Sequence, residues 1–170
     1  MRSTHSIRSS RKDAKAEKGF SLVELLIVVT VILIIAAIAI PNYITSKLRA
    51  NEAGAVENLR NITTANVVYS TTYEIGYSPD LTTLGGNSTA PTVTAAGLID
   101  SVLATGSKSG YNFSYSVVTT DANGQVTSYV IFAAPQIFGT TGTRYFYTDE
   151  TAVIRCNSTT QAGPSDPPIS

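Results

Sequence analysis

Residues 18–29 read KGFSLVELLIVV, and one side chain in them is out of place. Glu24 stands near the start of an apolar run that extends to Ile40, in which the only other polar side chains are Ser21 and Thr30. A charge inside a bilayer costs roughly 2.5–3.5 kcal/mol on insertion scales. Wound as a helix at 1.5 Å per residue, residues 20–40 are about 31 Å long, enough to cross a hydrocarbon core of ~30 Å. The pattern predicts a helix immersed in apolar surroundings, with one carboxylate near its start.

Charge is unevenly placed along the chain. The 170 residues carry 12 basic and 12 acidic side chains. Residues 1–19 hold Arg2, Arg8, Arg11, Lys12, Lys15 and Lys18 against Asp13 and Glu17, a net of +4. The remainder holds six basic and ten acidic residues, a net of −4. A basic flank on the N-terminal side of a span marks the cytoplasmic side, so the chain beyond Ile40 is expected to be exported. A secretory signal would have a shorter apolar core of about 7–15 residues and a small-residue cleavage site after it. The flank PNYITSKLRANE at 41–52 offers no such site, and the weakly matching Ala36-Ala37-Ile38-Ala39 lies inside the run. A plain single-pass anchor fits the length but leaves Glu24 unexplained.

Lys18-Gly19-Phe20-Ser21-Leu22-Val23-Glu24-Leu25-Leu26, with Pro41-Asn42-Tyr43 after the run, resembles the class III signal of type IV pilins and pseudopilins. The likeness covers roughly residues 18–60 and needs several features to coincide. The resemblance implies that a prepilin peptidase cuts between Gly19 and Phe20 on the cytoplasmic face and N-methylates the new terminus at Phe20. It also implies that Glu24 pairs with the terminal amine of a neighbouring subunit during assembly. A paired buried carboxylate is tolerated where an unpaired one is not, which makes the pair a device for register. A Glu near a helix end also snorkels to the headgroups, and the two readings describe successive states of the same residue.

Pro41 lacks an N–H and either ends the span or bends a helix that continues. Ile44, Leu48, Ala55, Leu59 and Ile62 recur at helical spacing, so one long kinked helix is expected over 21–73, its second half packing one stripe on a head. Gly54 marks either a close contact or a weak point in that helix. Residues 74–110, rich in Gly, Ser, Thr and Pro, read as loop with a short helix over 94–104 stopped by Gly106. Residues 111–117 alternate as a half-buried strand, Asp121-Ala122-Asn123-Gly124 is a turn signal, and 126–133 completes a hairpin. A second pair is expected over 143–148 and 152–156. The result is an α+β, pilin-like chain, with a long kinked N-terminal helix packed on an antiparallel sheet. Its expected parts are a leader at 1–19, a transmembrane or filament-core helix at 20–40, an amphipathic half at 41–73, a head at 74–156 and a mobile tail at 157–170.

The composition also narrows chemistry. Cys156 is the only cysteine, so the intramolecular disulfide that closes the C-terminal loop of many pilins is impossible here. His5 is the only histidine, and no glycine-rich phosphate loop or metal-ligand cluster is present, so no enzyme activity, catalytic residue, metal or cofactor is expected. Asp149 and Glu150 have the oxygen chemistry for calcium, but adjacent acids in a turn are usually just solvated. No basic patch occurs after the leader, so nucleic acid is not an expected partner. Asn-x-Ser/Thr occurs at Asn61, Asn87, Asn112 and Asn157 in a Ser- and Thr-rich chain, where it arises by chance. The expected partners are the peptidase, identical or related pilin subunits, an inner-membrane assembly platform and the lipid bilayer. The chain is expected in the inner membrane first and in an extracellular or periplasmic filament afterwards. A type II secretion pseudopilin and a membrane-anchored binding protein that never polymerises are the competing readings.

Overall fold

A computed structural model describes residues 19–86 and 89–169 of the chain. The basic leader up to Lys18, with His5, and the Asn87 triplet lie outside the described residues. The chain divides into two compact units, Met1–Ile40 and Pro41–Ser170.

Helix α1, Leu22–Tyr73, is 52 residues long and runs through Pro41. Proline therefore does not end the helix, although its missing N–H leaves the carbonyl four residues earlier without its helical partner. Thr30 Oγ1 donates back to the Leu26 carbonyl (2.8 Å), which satisfies the hydroxyl inside the apolar run. In the first unit the side chains of this run are exposed, Leu22 to 80% and Ile38 to 67%. A helix that is apolar on all faces must be covered by lipid or by other helices.

In the second unit one stripe of α1 is buried: Ala55, Leu59, Ile62, Ala65 and Tyr69. The stripe begins later than its periodicity suggests, since Ile44 is exposed and Leu48 only half-buried. Gly54 meets the head closely, because a Cβ placed there would lie 3.1 Å from the Ser109 side chain. Of the two sequence readings of this glycine, close contact holds.

The sheet that receives the stripe has five strands, all antiparallel and in chain order: β1 (Ser107–Lys108), β2 (Tyr111–Thr120), β3 (Val126–Pro135), β4 (Tyr145–Asp149) and β5 (Arg155–Asn157). The sequence pattern predicts four strands; the fifth is the two-residue β1 at the edge. The β2–β3 turn is built by Asp121, whose carboxylate accepts from the N–H groups of Asn123 (2.9 Å) and Gln125 (2.8 Å), with Gly124 at φ +79°. Tyr111, Phe113, Tyr129, Ile131 and Phe146 form the sheet side of the core with Leu59 and Ile62. Tyr129 stacks on Tyr115 at 5.3 Å and meets Tyr77 edge-on at 5.0 Å.

Two segments differ from the sequence reading. Residues 94–100 are not helical; α3 is only Ser101–Ala104. Gly97 sits at φ +63°, and the Asp100 carboxylate caps the later start by accepting from Val102 and Leu103. Gly106 does act as the stop, at φ +80° with its N–H on the Leu103 carbonyl (2.9 Å). Within the expected loop a further turn, α2 (Leu81–Leu84), starts at Asp80, which accepts from the Thr83 N–H.

The expected mobile tail is instead folded onto β5. The Cys156 N–H donates to the Pro167 carbonyl and the Ile169 N–H to the Ile154 carbonyl. Asp166 accepts from the Asn157 side-chain amide (2.9 Å) and the Gly163 N–H (2.8 Å), and its carbonyl accepts from Arg155 (2.8 Å). Ala162 is buried. Proline-rich composition does not loosen a segment whose backbone groups find partners.

Leu59 and Ile62 are fully buried beneath the sheet. Leu59→Ala should cost about 2–5 kcal/mol through lost transfer energy and the cavity left behind. Denaturant unfolding of the detergent-solubilised chain, monitored by tyrosine fluorescence, would measure it.

Candidate functional site

The segment singled out by the sequence lies at the start of α1. Gly19, Phe20 and Ser21 precede the helix, and the chain turns helical at Leu22. Among the described residues, a Cβ at Gly19 would meet nothing within 4 Å. Phe20 is 81% exposed. Among the described residues, nothing packs on the Phe20 side of the Gly19–Phe20 bond.

Glu24 has a local partner that the sequence reading missed. Its Oε2 accepts from the Ser21 N–H at 2.9 Å, while Ser21 Oγ accepts from the Val23 N–H at 3.3 Å. The Leu25 N–H closes the first helical bond on the Ser21 carbonyl (3.2 Å). This is a capping box, S-x-x-E, in which serine and glutamate satisfy otherwise orphaned amides of the first turn. A carboxylate in the first turn is also favoured by the helix dipole. The signal, Ser21-Leu22-Val23-Glu24, was legible in the sequence. Serine and glutamate are thus satisfied within the first turn of α1. Pro41, the fourth residue singled out, marks the junction of the two units.

A second charged feature, also missed, joins α1 to the sheet. Glu52 is buried, and its Oε1 accepts from the Thr143 N–H (2.9 Å) and Thr143 Oγ1 (2.8 Å). Its Oε2 accepts from Arg144 Nε at 2.9 Å. Beside it in the chain, Asn51 donates its amide to the Thr141 carbonyl at 2.9 Å. Burial pushes the Glu52 carboxyl up, but the Thr143 donors and the Arg144 guanidinium outweigh it and hold the group below its ordinary value of 4.5. No local sequence signal marks this contact, because its partners lie some ninety residues apart.

A family model described as the prokaryotic N-terminal methylation motif matches residues 14–40. The type IV major pilin protein PilA of Myxococcus xanthus is 39% identical over 71 residues, 37% of this chain and 32% of that protein. This chain therefore spans about a third of the Myxococcus protein's length. A fimbrial protein of Pseudomonas aeruginosa is 34% identical over 121 residues, 62% of this chain and 79% of its own length. The type IV wide pilus major component PilA4 of Thermus thermophilus is 54% identical over 35 residues, 21% of this chain and 27% of that protein. No solved structure gives a significant match.

Because the folded-state pKa of Glu52 is lowered, its contribution to stability is complete above its unfolded value. That contribution declines as pH falls below about 4.5 and is lost once pH passes the folded value. Glu52→Ala should cost roughly 2–3 kcal/mol, since Arg144 keeps part of its guanidinium in water. It should also flatten the acid limb of the stability curve. Unfolding midpoints at pH 3, 4, 5 and 7 for wild type and variant would test both.

Proposed function

The chain belongs to the type IV pilin family, and on that premise we propose that it is the precursor of a filament subunit, processed at Gly19–Phe20 and assembled through Glu24. The observation that carries this reading is the local geometry at the start of α1. Gly19 and the exposed Phe20 stand just before a helix whose first turn holds the only carboxylate of a 21-residue apolar run.

The order of events comes from the chemistry. While the +4 leader is attached, drawing the apolar helix out of the bilayer also means drawing six cationic side chains through it. Cleavage before Phe20 removes them and leaves one amine, which stays cationic when methylated. That amine is the partner a neighbour's Glu24 lacks once lipid no longer offers headgroups. On entry to the filament Glu24 exchanges its own Ser21 N–H for a charged donor, a stronger bond in a dry interior. A subunit docked one step out of register leaves the carboxylate unpaired, so the pair fixes register as well as holding the subunit. The head is placed on the exported side by the basic flank. The names of the relatives favour a pilus over the secretion alternative.

Mass spectrometry of the mature protein should find an N-methylated Phe20 as the first residue. An intact leader, or a cut beyond Ile40, would overturn the processing step. Glu24 then separates capping from pairing. Glutamine keeps the capping box but carries no charge, whereas alanine loses both. If pairing drives assembly, Glu24→Gln and Glu24→Ala both insert in the membrane and both yield few sheared filaments. If Glu24→Gln assembles like wild type, the residue is only a cap.

A further inference from the structure

We propose that the head carries a groove for a carboxylate of the next subunit, so that heads join head-to-tail by charge along the filament; this rests on the filament reading above.

The two ends of the head differ in the charges they leave unengaged. Glu52 and Asn51 hold the β3–β4 connection, residues 136–144, at one end. At the other end the Tyr77 N–H donates to the Val126 carbonyl just after α1 closes, beside the β2–β3 turn. The β4–β5 turn lies at that second end too, because Val130 pairs with Asp149. Along α1 the ends are about 32 Å apart, from Glu52 to Tyr73 at 1.5 Å per residue.

The second end collects Glu74, Asp80, Asp121, Asp149 and Glu150. Three of these are occupied at home. Asp80 and Asp121 accept backbone N–H groups of their own turns, and Asp149 accepts from Thr151 and Tyr147. Glu74 and Glu150 are exposed, and among the described residues neither makes a hydrogen bond or ion pair through its side chain. At the first end the free side chains are basic, while Glu52 is engaged by Thr143 and Arg144 and Asp166 by Asn157 and the Gly163 N–H. Lys47 and Arg49 are exposed there, and their side chains likewise make no hydrogen bond or ion pair among the described residues. A groove of about 360 Å³ opens beside them, lined by Thr45, Leu48, Arg49, Glu52, Thr143 and Arg144. Glu52 is committed to Thr143 and to Arg144 Nε, so the groove presents two guanidiniums against one already engaged carboxylate. Arg144 is steadied further by lying over the Phe146 ring at 5.3 Å. The Thr45 and Thr143 hydroxyls already donate to the Pro41 carbonyl and to Glu52, so what the groove offers is its excess cation, which fits one more carboxylate. A free acidic end and a free basic end on one rigid unit make a heterologous contact. Such a contact repeats without closing and builds a helical filament, not a dimer.

The test is a charge swap in the full chain, expressed in the cell that assembles it. Lys47→Glu with Arg49→Glu reverses the basic end, and Glu74→Lys with Glu150→Lys reverses the acidic end; Arg144 is left alone because Glu52 needs it. Each reversed chain should insert and show the same processing as wild type. Each should yield about tenfold fewer sheared filaments or worse, since like charges then face each other at every contact. The fourfold variant with both ends reversed should recover wild-type yield. Wild-type yield from either single-end reversal, or no recovery in the fourfold variant, overturns the charge contact while leaving the filament reading intact. Absence of filaments from the wild-type chain overturns the filament reading and this contact with it.

Discussion

One continuous helix has to satisfy two solvents. The first part of α1 is apolar on every face; the second is apolar on one stripe only. No single environment suits both, so everything else in the chain answers that mismatch. The sheet covers Leu59 and Ile62, whereas the apolar side chains described before Pro41 are exposed. Lipid and the matching helices of other copies are chemically equivalent as cover, so an apolar segment of this kind suits either surrounding. The discriminating element is therefore not the apolar run but the one carboxylate in it, since only a charged or hydrogen-bonding neighbour distinguishes one apolar surrounding from another.

That carboxylate looks different once its capping role is seen. In the isolated chain Glu24 is not an orphan: Ser21 supplies a donor within its own first turn. The capping donor is neutral and local, while a terminal ammonium is charged and comes from another molecule. An exchange of the weaker partner for the stronger costs little to begin and gains in a low-dielectric interior. A residue with no partner at all would hold back insertion, and one too well satisfied would not exchange. The capping box places Glu24 between these extremes.

Legibility in the sequence tracks the range of the interaction. Patterns of period 3.6 and 2 place α1, β2 and β3 because each residue's environment there is decided by neighbours a few positions away. Asp121-Ala122-Asn123-Gly124 is readable as a turn for the same reason. The errors lie where a single residue resets the backbone. Gly97 at positive φ and the Asp100 cap shorten a helix that the apolar spacing of Leu98, Ile99, Val102 and Leu103 suggests, and Asp80 starts a turn of helix inside an apparent loop. The tail misleads because its anchors are paired across the fold: composition at Pro164, Pro167 and Pro168 speaks for looseness, whereas Asp166 meets Asn157 and Arg155. In the candidate segment Glu24 stands out from the residues themselves, Gly19 and Phe20 only through the resemblance, and the serine that caps the helix is eclipsed by the carboxylate beside it. Glu52 and Arg144 are beyond sequence reasoning altogether, since each is an ordinary charged residue until the fold brings them together.

Arg144 shows how few residues tie the head's basic end together. Its Nε reaches Glu52 on α1, its guanidinium covers the Phe146 ring on β4, and it borders a second groove with Asn157 and Asp166, where the tail folds back. Helix, sheet and tail thus meet around one planar cation. Lysine would keep the charge but not the plane: an ammonium cannot lie flat on the phenyl ring while directing a fixed N–H at the carboxylate. It would also leave the groove's second cation free to swing, so that an incoming carboxylate would have to order it at an entropic cost. In a chain whose one cysteine cannot close a loop internally, this end of the head is held by hydrogen bonds directed from arginines to carboxylate and carbonyl oxygens. The rigidity that permits a repeating contact then comes from directional charge and not from a covalent cross-link.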